Sequence, residues 1–433
     1  MVSTIVLLCS LLLTGFVLVP VIIFLWLTVL WIKKDSSQNV PKIYAQPGFF
    51  YPLKYHAIRA MLWLRKLQNA RSQYMRQANS ANAGYGVRSR NSFTEMDSVQ
   101  VLPANQPKAV DAVYFNGGNA DGVFLVAATA RRQGNIVQTV LYLRFPRIGL
   151  LELPSLPDTW LSDANSLYGY TAGGLTIKPL RPMETWSLKY DGMMRIAETD
   201  RIVKVSLNLI WKAYTKLFDF DTDLHPHVMA DGIAREKWTR KYFDTLKRLH
   251  QTHYEQFGEI TGSVHVSSYQ VQEVKVQGVR DHSYGNIRDW GLFHRYALNY
   301  AHLEDNTALC VGAICMPVTL SRLVVGYVFH PDGTMDPVTG TDFEFYNHGD
   351  DGNPPDKLVV NFKAGNKQYH LVCEVIQCPI FYMGKDWDAK IHERFCNYTV
   401  NGVKGWGISE WDYRNYDGKA AELKRLKDRK KEP

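Results

Sequence analysis

Between Arg280 and His294 lies the densest run of side chains in this chain that could do chemistry. It reads Arg280-Asp281-His282-Ser283-Tyr284-Gly285 and continues with Arg288, Asp289, Trp290 and His294. An Asp beside a His offers a proton donor and an acceptor whose pKa values the surroundings can separate, and aromatic rings can stabilise a developing cation. The alternative is a polar corner in which Arg and Asp satisfy buried backbone groups. The residue types alone leave both interpretations open.

This run, together with the later segment Gly405–Trp411, resembles the RDHSWG-type signature and glycine-rich last strand of the AttH-like and carotenoid-hydratase group. Tyr284 stands where that group more often has Trp. The resemblance covers about residues 111–415 and implies two lipocalin-like barrels. In the hydratase branch it implies protonation of an isoprenoid double bond, with Asp281 as the acid, His282 as its partner and Tyr284 as a cation-stabilising wall.

The segments Phe220–Trp238 and Leu249–Gly262 are similar to uncharacterised animal proteins, including the N-terminal part of phosphoenolpyruvate synthase-like chains. The chain has no swivelling-His or ATP-grasp motif, so synthase activity does not follow from that similarity. Four further side chains are expected to contact a ligand, namely Arg280, Arg288, Trp290 and Glu410.

A metal site is the weaker possibility. The candidate ligands are His225, His227 and Asp231, and the pair His250 and His253. Because no third ligand is fixed by spacing in the second group and the first has no established pattern, we expect neither a metal nor another cofactor.

Mostly β-strands are predicted to position these residues. Val123–Arg131 and Ile136–Phe145 predict a hairpin around Gln133-Gly134-Asn135, and Asn401-Gly402 supplies the positive φ of a tight turn. One helix is predicted over Ile233–Tyr254 from apolar residues spaced three and four apart. So many antiparallel strands predict two lipocalin-like barrels or sheets joined by that helix, and a barrel of about eight strands has room for one small ligand.

The first 32 residues predict a transmembrane anchor, because Val2–Ile32 contains no charged side chain and ends at Lys33 and Lys34. The basic residues that follow predict a single-pass membrane protein with a cytosolic body. The sequon at Asn397 is a weak opposing signal. From Pro52 to Gln77, apolar residues recur at helical spacing among Lys and Arg, which predicts a helix that lies on anionic lipid or packs on the body.

The domain organisation expected from these patterns has five parts: a transmembrane anchor over 1–32, a basic juxtamembrane helix and linker over 33–104, a first β-rich domain with its linking helix over 105–255, a second barrel over 256–415, and a charged tail over 416–433. The net charge of +8 comes largely from the juxtamembrane segment, so the nearly neutral body gives no reason to expect a nucleic-acid partner.

Two functions of different class fit the sequence. The first is a membrane-anchored lipocalin-like protein that binds an apolar ligand such as a lipid or isoprenoid, with membrane lipid as a partner. The second is a lyase or isomerase that uses acid–base chemistry at a carbon double bond. They differ in whether Asp281 points into a cavity or holds a corner.

Overall fold

The computed structural model describes residues 40–72, 85–87 and 92–429. In these residues the helices are α1 (Tyr51–Ser72), α2 (Phe93–Asp97), α3 (Pro226–Arg235), α4 (Arg240–Arg248) and α5 (Gly418–Arg429). All other regular structure, apart from short 3₁₀ turns, is antiparallel β-sheet.

The first barrel consists of eight strands: β1 (Val110–Gly118), β2 (Phe124–Arg131), β3 (Ile136–Phe145), β4 (Gly149–Glu152), β8 (Thr185–Ile196), β9 (Arg201–Ala213), β11 (Thr252–Val266) and β12 (Gln272–Gly285). They close in the order β11-β12-β1-β2-β3-β4-β8-β9, because β9 pairs with both β8 and β11. Four short strands lie outside this ring: β5 (Trp160–Ser162), β6 (Tyr170–Ala172), β7 (Leu175–Arg181) and β10 (Phe218–Asp219).

The second barrel also consists of eight strands: β13 (Arg295–Leu303), β14 (Ala308–Met316), β15 (Leu320–Phe329), β16 (Met335–Thr341), β17 (Lys357–Ala364), β18 (Lys367–Gln377), β20 (Ala389–Val400) and β21 (Val403–Arg414). They close in the order β18-β17-β16-β15-β14-β13-β21-β20, because β18 also pairs with β20. The short strand β19 (Ile380–Met383) pairs with β20.

The prediction of two antiparallel barrels is confirmed, but the helix predicted between them is not there. Residues 233–254 form the end of α3, the separate helix α4 and the start of β11, because Thr239 caps a new helix and the chain turns into a strand at Thr252. These helices precede the last two strands of the first barrel. The predicted division at residue 256 therefore falls inside β11, and residues 286–294 connect the barrels.

The predicted localisation, a single-pass membrane protein with a cytosolic body, is corrected by the structure. Within the described residues, none of the helices has both the length and the apolar character needed to cross a membrane. The predicted anchor, residues 1–32, lies outside that part of the chain, as do residues 33–39, 73–84 and 88–91 of the predicted juxtamembrane helix and linker and the last four residues of the tail.

The predicted basic helix is α1, and it packs on the body. Ile58 and Leu62 are buried, and the Tyr51 hydroxyl donates to the Asp231 carboxylate of α3 at 2.5 Å. The outer side of α1 is exposed.

Burial along the strands shows where the two barrels meet. Every residue of β13 is buried, whereas β17 alternates strictly between exposed and buried positions. A strand is buried on both faces only when something covers its outer side as well as its inner side. For β1 and β13 that cover is the other barrel: the Tyr114 hydroxyl of β1 donates to Glu393 of β20, and the Tyr300 hydroxyl of β13 donates to Glu255 of β11.

The interior of the first barrel is filled by large side chains and by a carboxylate from outside the sheet. Ser92 and Glu95 form a capping box that starts α2, and this short helix carries Asp97 into the interior. There the Asp97 carboxylate accepts hydrogen bonds from Arg280 and from the Tyr254 hydroxyl, both at 2.7 Å. The guanidinium of Arg280 lies 5.1 Å from the buried ring of Trp186.

Replacement of Asp97 with Ala is expected to lower the free energy of unfolding by about 3 to 5 kcal/mol, because it strands the buried Arg280 guanidinium without its anion. Urea denaturation followed by tryptophan fluorescence measures this. Asp121→Ala, in the exposed turn after β1, is the matched control. Equal stability of the two variants would contradict the role assigned to Asp97.

Candidate active site between the barrels

The two faces of β12 divide the predicted site. Side chains of successive residues in a strand point to opposite sides. Arg280, His282 and Tyr284 face the interior of the first barrel, and Asp281 faces outward toward the second barrel. Asp281 and His282 therefore belong to different environments.

His282 is a structural residue of the barrel interior. Its ring is fully buried, with Nε2 2.7 Å from the Asp111 carboxylate and Nδ1 2.8 Å from the Tyr254 hydroxyl. The Tyr284 ring packs 5.1 Å from the ring of His282 on the same side. All polar atoms of the His282 ring are thus engaged in holding the interior together.

Asp281 lies on the outer face, directly across from Tyr114 of β1 and from Glu255 of β11 in the two ladders. The pKa of Asp281 is raised to about 6, mainly by burial and to a smaller extent by the Glu255 carboxylate, while His253 and Arg288 oppose the shift. Its Oδ1 atom is buried and has no hydrogen-bond partner among the described residues. A carboxyl group in this position has a higher proton affinity than an ordinary Asp.

The second barrel brings two more carboxyl groups to the same place. Glu393 of β20 and Glu410 of β21 are directly opposed in their ladder, so each faces a like charge. Burial raises the pKa of Glu410 to about 7, and burial followed by the Glu410 charge raises that of Glu393 well above its ordinary range. Glu410 accepts a hydrogen bond from Tyr296, and Glu393 accepts one from Tyr114 of the first barrel.

Glu255 of β11 accepts hydrogen bonds from two tyrosines of the second barrel. It is fully buried and accepts from the hydroxyls of Tyr300 at 3.0 Å and Tyr327 at 2.6 Å. His253 Nε2 lies 3.0 Å from the same carboxylate. The two tyrosine hydrogen bonds cross from one barrel to the other and fix the relative position of the barrels at the site.

Arg288 and Trp290, which follow β12, lie close to these carboxyl groups. Arg288 donates from Nε to the Gln251 side chain at 2.7 Å, and its guanidinium lies 6.0 Å from the ring of Trp290. Burial lowers the pKa of Arg288, which Asp281 and Glu410 partly offset.

A histidine–carboxylate pair borders the site from the segment before β11. His250 Nε2 lies 2.7 Å from the Asp221 carboxylate, and the ring of Tyr85 meets the His250 ring edge-on at 5.5 Å. A carboxylate at one ring nitrogen fixes the tautomer that leaves the other nitrogen able to accept a proton.

These groups surround a cavity of about 290 Å3 between the barrels. Its walls are mainly apolar. On the first barrel Ala112, Ala128 and Ala130 contribute only small side chains, which leaves the space open. The residues with polar side chains that line it include Tyr114, His250, His253, Asp281, Arg288, Tyr296 and Glu410.

Of the residues expected from the sequence, the structure brings Asp281, Arg288, Trp290 and Glu410 together around this cavity, and it places Arg280, His282 and Tyr284 inside the first barrel. Sequence reasoning missed Tyr114, Glu255, Tyr296 and Glu393, and it considered His250 and His253 only as possible metal ligands. It also paired His282 with Asp281, although the alternation of side chains along β12 places the two on opposite faces. No comparable signal marks the others, because they meet only through tertiary contacts.

No group of three or more potential metal ligands of the His, Cys, Asp or Glu type occurs in the described ranges.

A family model described as "Family of unknown function (DUF8627)" matches residues 16–413. The chain belongs to this family. Among curated proteins none matches it.

Three solved structures are similar to the fold. A putative AttH from Nitrosomonas europaea has a TM-score of 0.47 at 10% identity, over 72% of this chain and 97% of that one. Kievitone hydratase from Nectria haematococca has 0.44 at 11%, over 72% and 91%. CghA has 0.43 at 11%, over 72% and 90%. The comparisons show no relation to animal proteins or to phosphoenolpyruvate synthase-like chains, and that similarity stays a prediction.

Asp281→Asn is expected to stabilise the protein increasingly as pH rises. Because the folded pKa of Asp281 lies above its unfolded value, the folded state holds the proton more tightly, so wild-type stability declines from about pH 4 through pH 6. The amide has no such titration. Urea unfolding at pH 4 and pH 7 should show the difference between variant and wild type grow by about 1 to 3 kcal/mol.

The matched control is Glu273→Gln, at an exposed position of the same strand. A pH-independent loss of about 3 kcal/mol in Asp281→Asn would instead support the corner interpretation, in which the carboxylate holds a buried ion pair.

Proposed function

We propose that this protein is an acid–base enzyme of the lyase or isomerase class, which protonates a carbon double bond of an apolar ligand in the cavity between the barrels. The observation that carries the proposal is the Asp281 carboxyl group, which faces a mainly apolar cavity with one oxygen that has no hydrogen-bond partner among the described residues. A general acid needs a pKa near the working pH and an unobstructed path to the substrate atom.

In the proposed reaction the proton leaves the Asp281 carboxyl and bonds to one alkene carbon, and the positive charge develops on the neighbouring carbon. The rings of Tyr114, Trp290 and Tyr296 border the cavity, and their faces can stabilise this cation. The carboxylate that the proton leaves behind on Asp281 lowers its energy further, because opposite charges attract strongly away from bulk water.

The second half of the reaction needs a base. If water adds to the cation, His250 can take the proton that the water loses, since the Asp221 carboxylate orients its ring. If a neighbouring carbon loses the proton instead, the double bond moves and the product is an isomer. Glu410, with its pKa raised to about 7, is a second acceptor on the opposite wall.

Binding without turnover is the second candidate function. The apolar walls of the cavity favour it, because they would hold a lipid or isoprenoid whether or not a proton is transferred. The two candidates differ in the fate of the ligand.

Incubation of the protein with a panel of isoprenoid alkenes in D2O tests the proposal. Protonation at carbon from exchangeable solvent leaves deuterium on carbon, which mass spectrometry detects. Asp281→Asn should lower the rate of incorporation by at least about 100-fold, since the amide cannot donate the proton. Glu273→Gln should leave it unchanged.

Full activity of Asp281→Asn would show that this carboxyl is not the proton donor. Retention of an alkene without deuterium incorporation by the wild type would favour binding alone.

A further inference from the structure

Arg288 presents an unused positive charge to the cavity. Within the described residues it makes no salt bridge, and its side chain donates only through Nε, to Gln251 at 2.7 Å. The two terminal nitrogens therefore have no hydrogen-bond partner among the described residues, and Arg288 lines the cavity. Asp281 and Glu410 act on the guanidinium electrostatically, but neither contacts it.

Arg288 is half-buried, and a charge that is partly removed from water is normally paired or hydrogen-bonded. The planar guanidinium offers two parallel donors that match the oxygens of a carboxylate, sulfonate or similar anion. Gln251 holds Nε and the Trp290 ring lies beside the guanidinium, so the orientation is fixed before a ligand arrives.

The geometry points to a ligand with an apolar skeleton and one anionic group, which pairs with Arg288, and whose binding leaves Asp281 protonated. The second part rests on the proposed function, because it assigns the proton that Asp281 would donate. The positive charge of Arg288 stabilises the Asp281 carboxylate. An anion bound to Arg288 offsets that charge and brings a negative charge close to Asp281, so it favours the protonated form of Asp281. Binding of the ligand therefore causes Asp281 to take up the proton that it would donate to that ligand.

Several charged or titratable groups face Asp281 from the elements packed around it. They are Tyr114 of β1, His253 and Glu255 of β11, Arg288 after β12, Tyr300 of β13, Glu393 of β20 and Glu410 of β21, while His282 acts on Asp281 electrostatically from the opposite face of β12. Of these, Arg288 is a cation that is permanently charged near neutral pH, so an anion bound to it changes the field at Asp281 in one direction.

Two fluorescent probes with the same ring skeleton test the anionic part. 1-Anilinonaphthalene-8-sulfonate carries a sulfonate, and N-phenyl-1-naphthylamine does not. Arg288→Gln should weaken binding of the sulfonate probe about 10-fold or more and leave the neutral probe unchanged within about two-fold. Retained binding of the neutral probe also shows that the variant cavity is folded.

Three further variants locate the effect. Ala128→Phe fills the cavity and should weaken both probes, Lys275→Gln removes an exposed cation from β12 and should change neither, and Arg288→Lys should recover part of the lost sulfonate affinity. An equal effect of Arg288→Gln on both probes, or no effect on the sulfonate probe, would overturn the inference.

Titration calorimetry of the sulfonate probe at pH 7, in two buffers of different ionisation enthalpy, measures the proton. The wild type should take up at least about half a proton more per probe bound than Asp281→Asn, in which only groups such as Glu410 can still take up a proton. No uptake by the wild type, or equal uptake by the variant, would overturn the proton-loading part. None of these measurements depends on turnover, so an absence of deuterium incorporation would count against the proposed function alone.

Discussion

The mutual burial of the outer faces of the two barrels is the constraint on which the site depends. Where the barrels meet, water is excluded, and each carboxyl group must either receive a hydrogen bond or hold a proton. Tyr300 and Tyr327 of the second barrel donate hydrogen bonds to Glu255 of the first, and Tyr114 of the first barrel donates one to Glu393 of the second. The interface that holds the protein together is for this reason also the place where proton affinities are raised.

Neighbouring residues of β12 have unrelated tasks because a strand turns successive side chains to opposite sides. Arg280 and His282 tie the interior of the first barrel to Asp97 and Asp111. Asp281 lies between them along the strand and faces the cavity. The buried ion pairs on the inner face thereby hold the strand that positions the acid on the outer face, although they contact no part of the cavity chemistry.

The sequence predicted the β-barrels well and the site in part, for physical reasons. Local turn chemistry at Asn401-Gly402 fixes a hairpin, and both residues have positive φ, 50° and 87°. The helix extended to Tyr254 was wrong because apolar spacing continues into a strand whose outer face is covered. Glu255 and Glu393 could not be predicted as partners of Asp281, since only the docking of the barrels brings them near. The alternation along residues 280–284 is local and places Asp281 and His282 on opposite faces, but the prediction that the two residues act together did not take it into account.

The same alternation makes β12 intolerant of changes in length. If one residue were inserted before Arg280 and the pairing with β1 and β11 otherwise kept, every later side chain of the strand would turn over. The Arg280 guanidinium would then face the cavity, and the carboxyl of Asp281 would enter an interior already occupied by Asp97 and Asp111. During divergence of the family, substitutions in this strand are therefore far easier to accommodate than insertions or deletions.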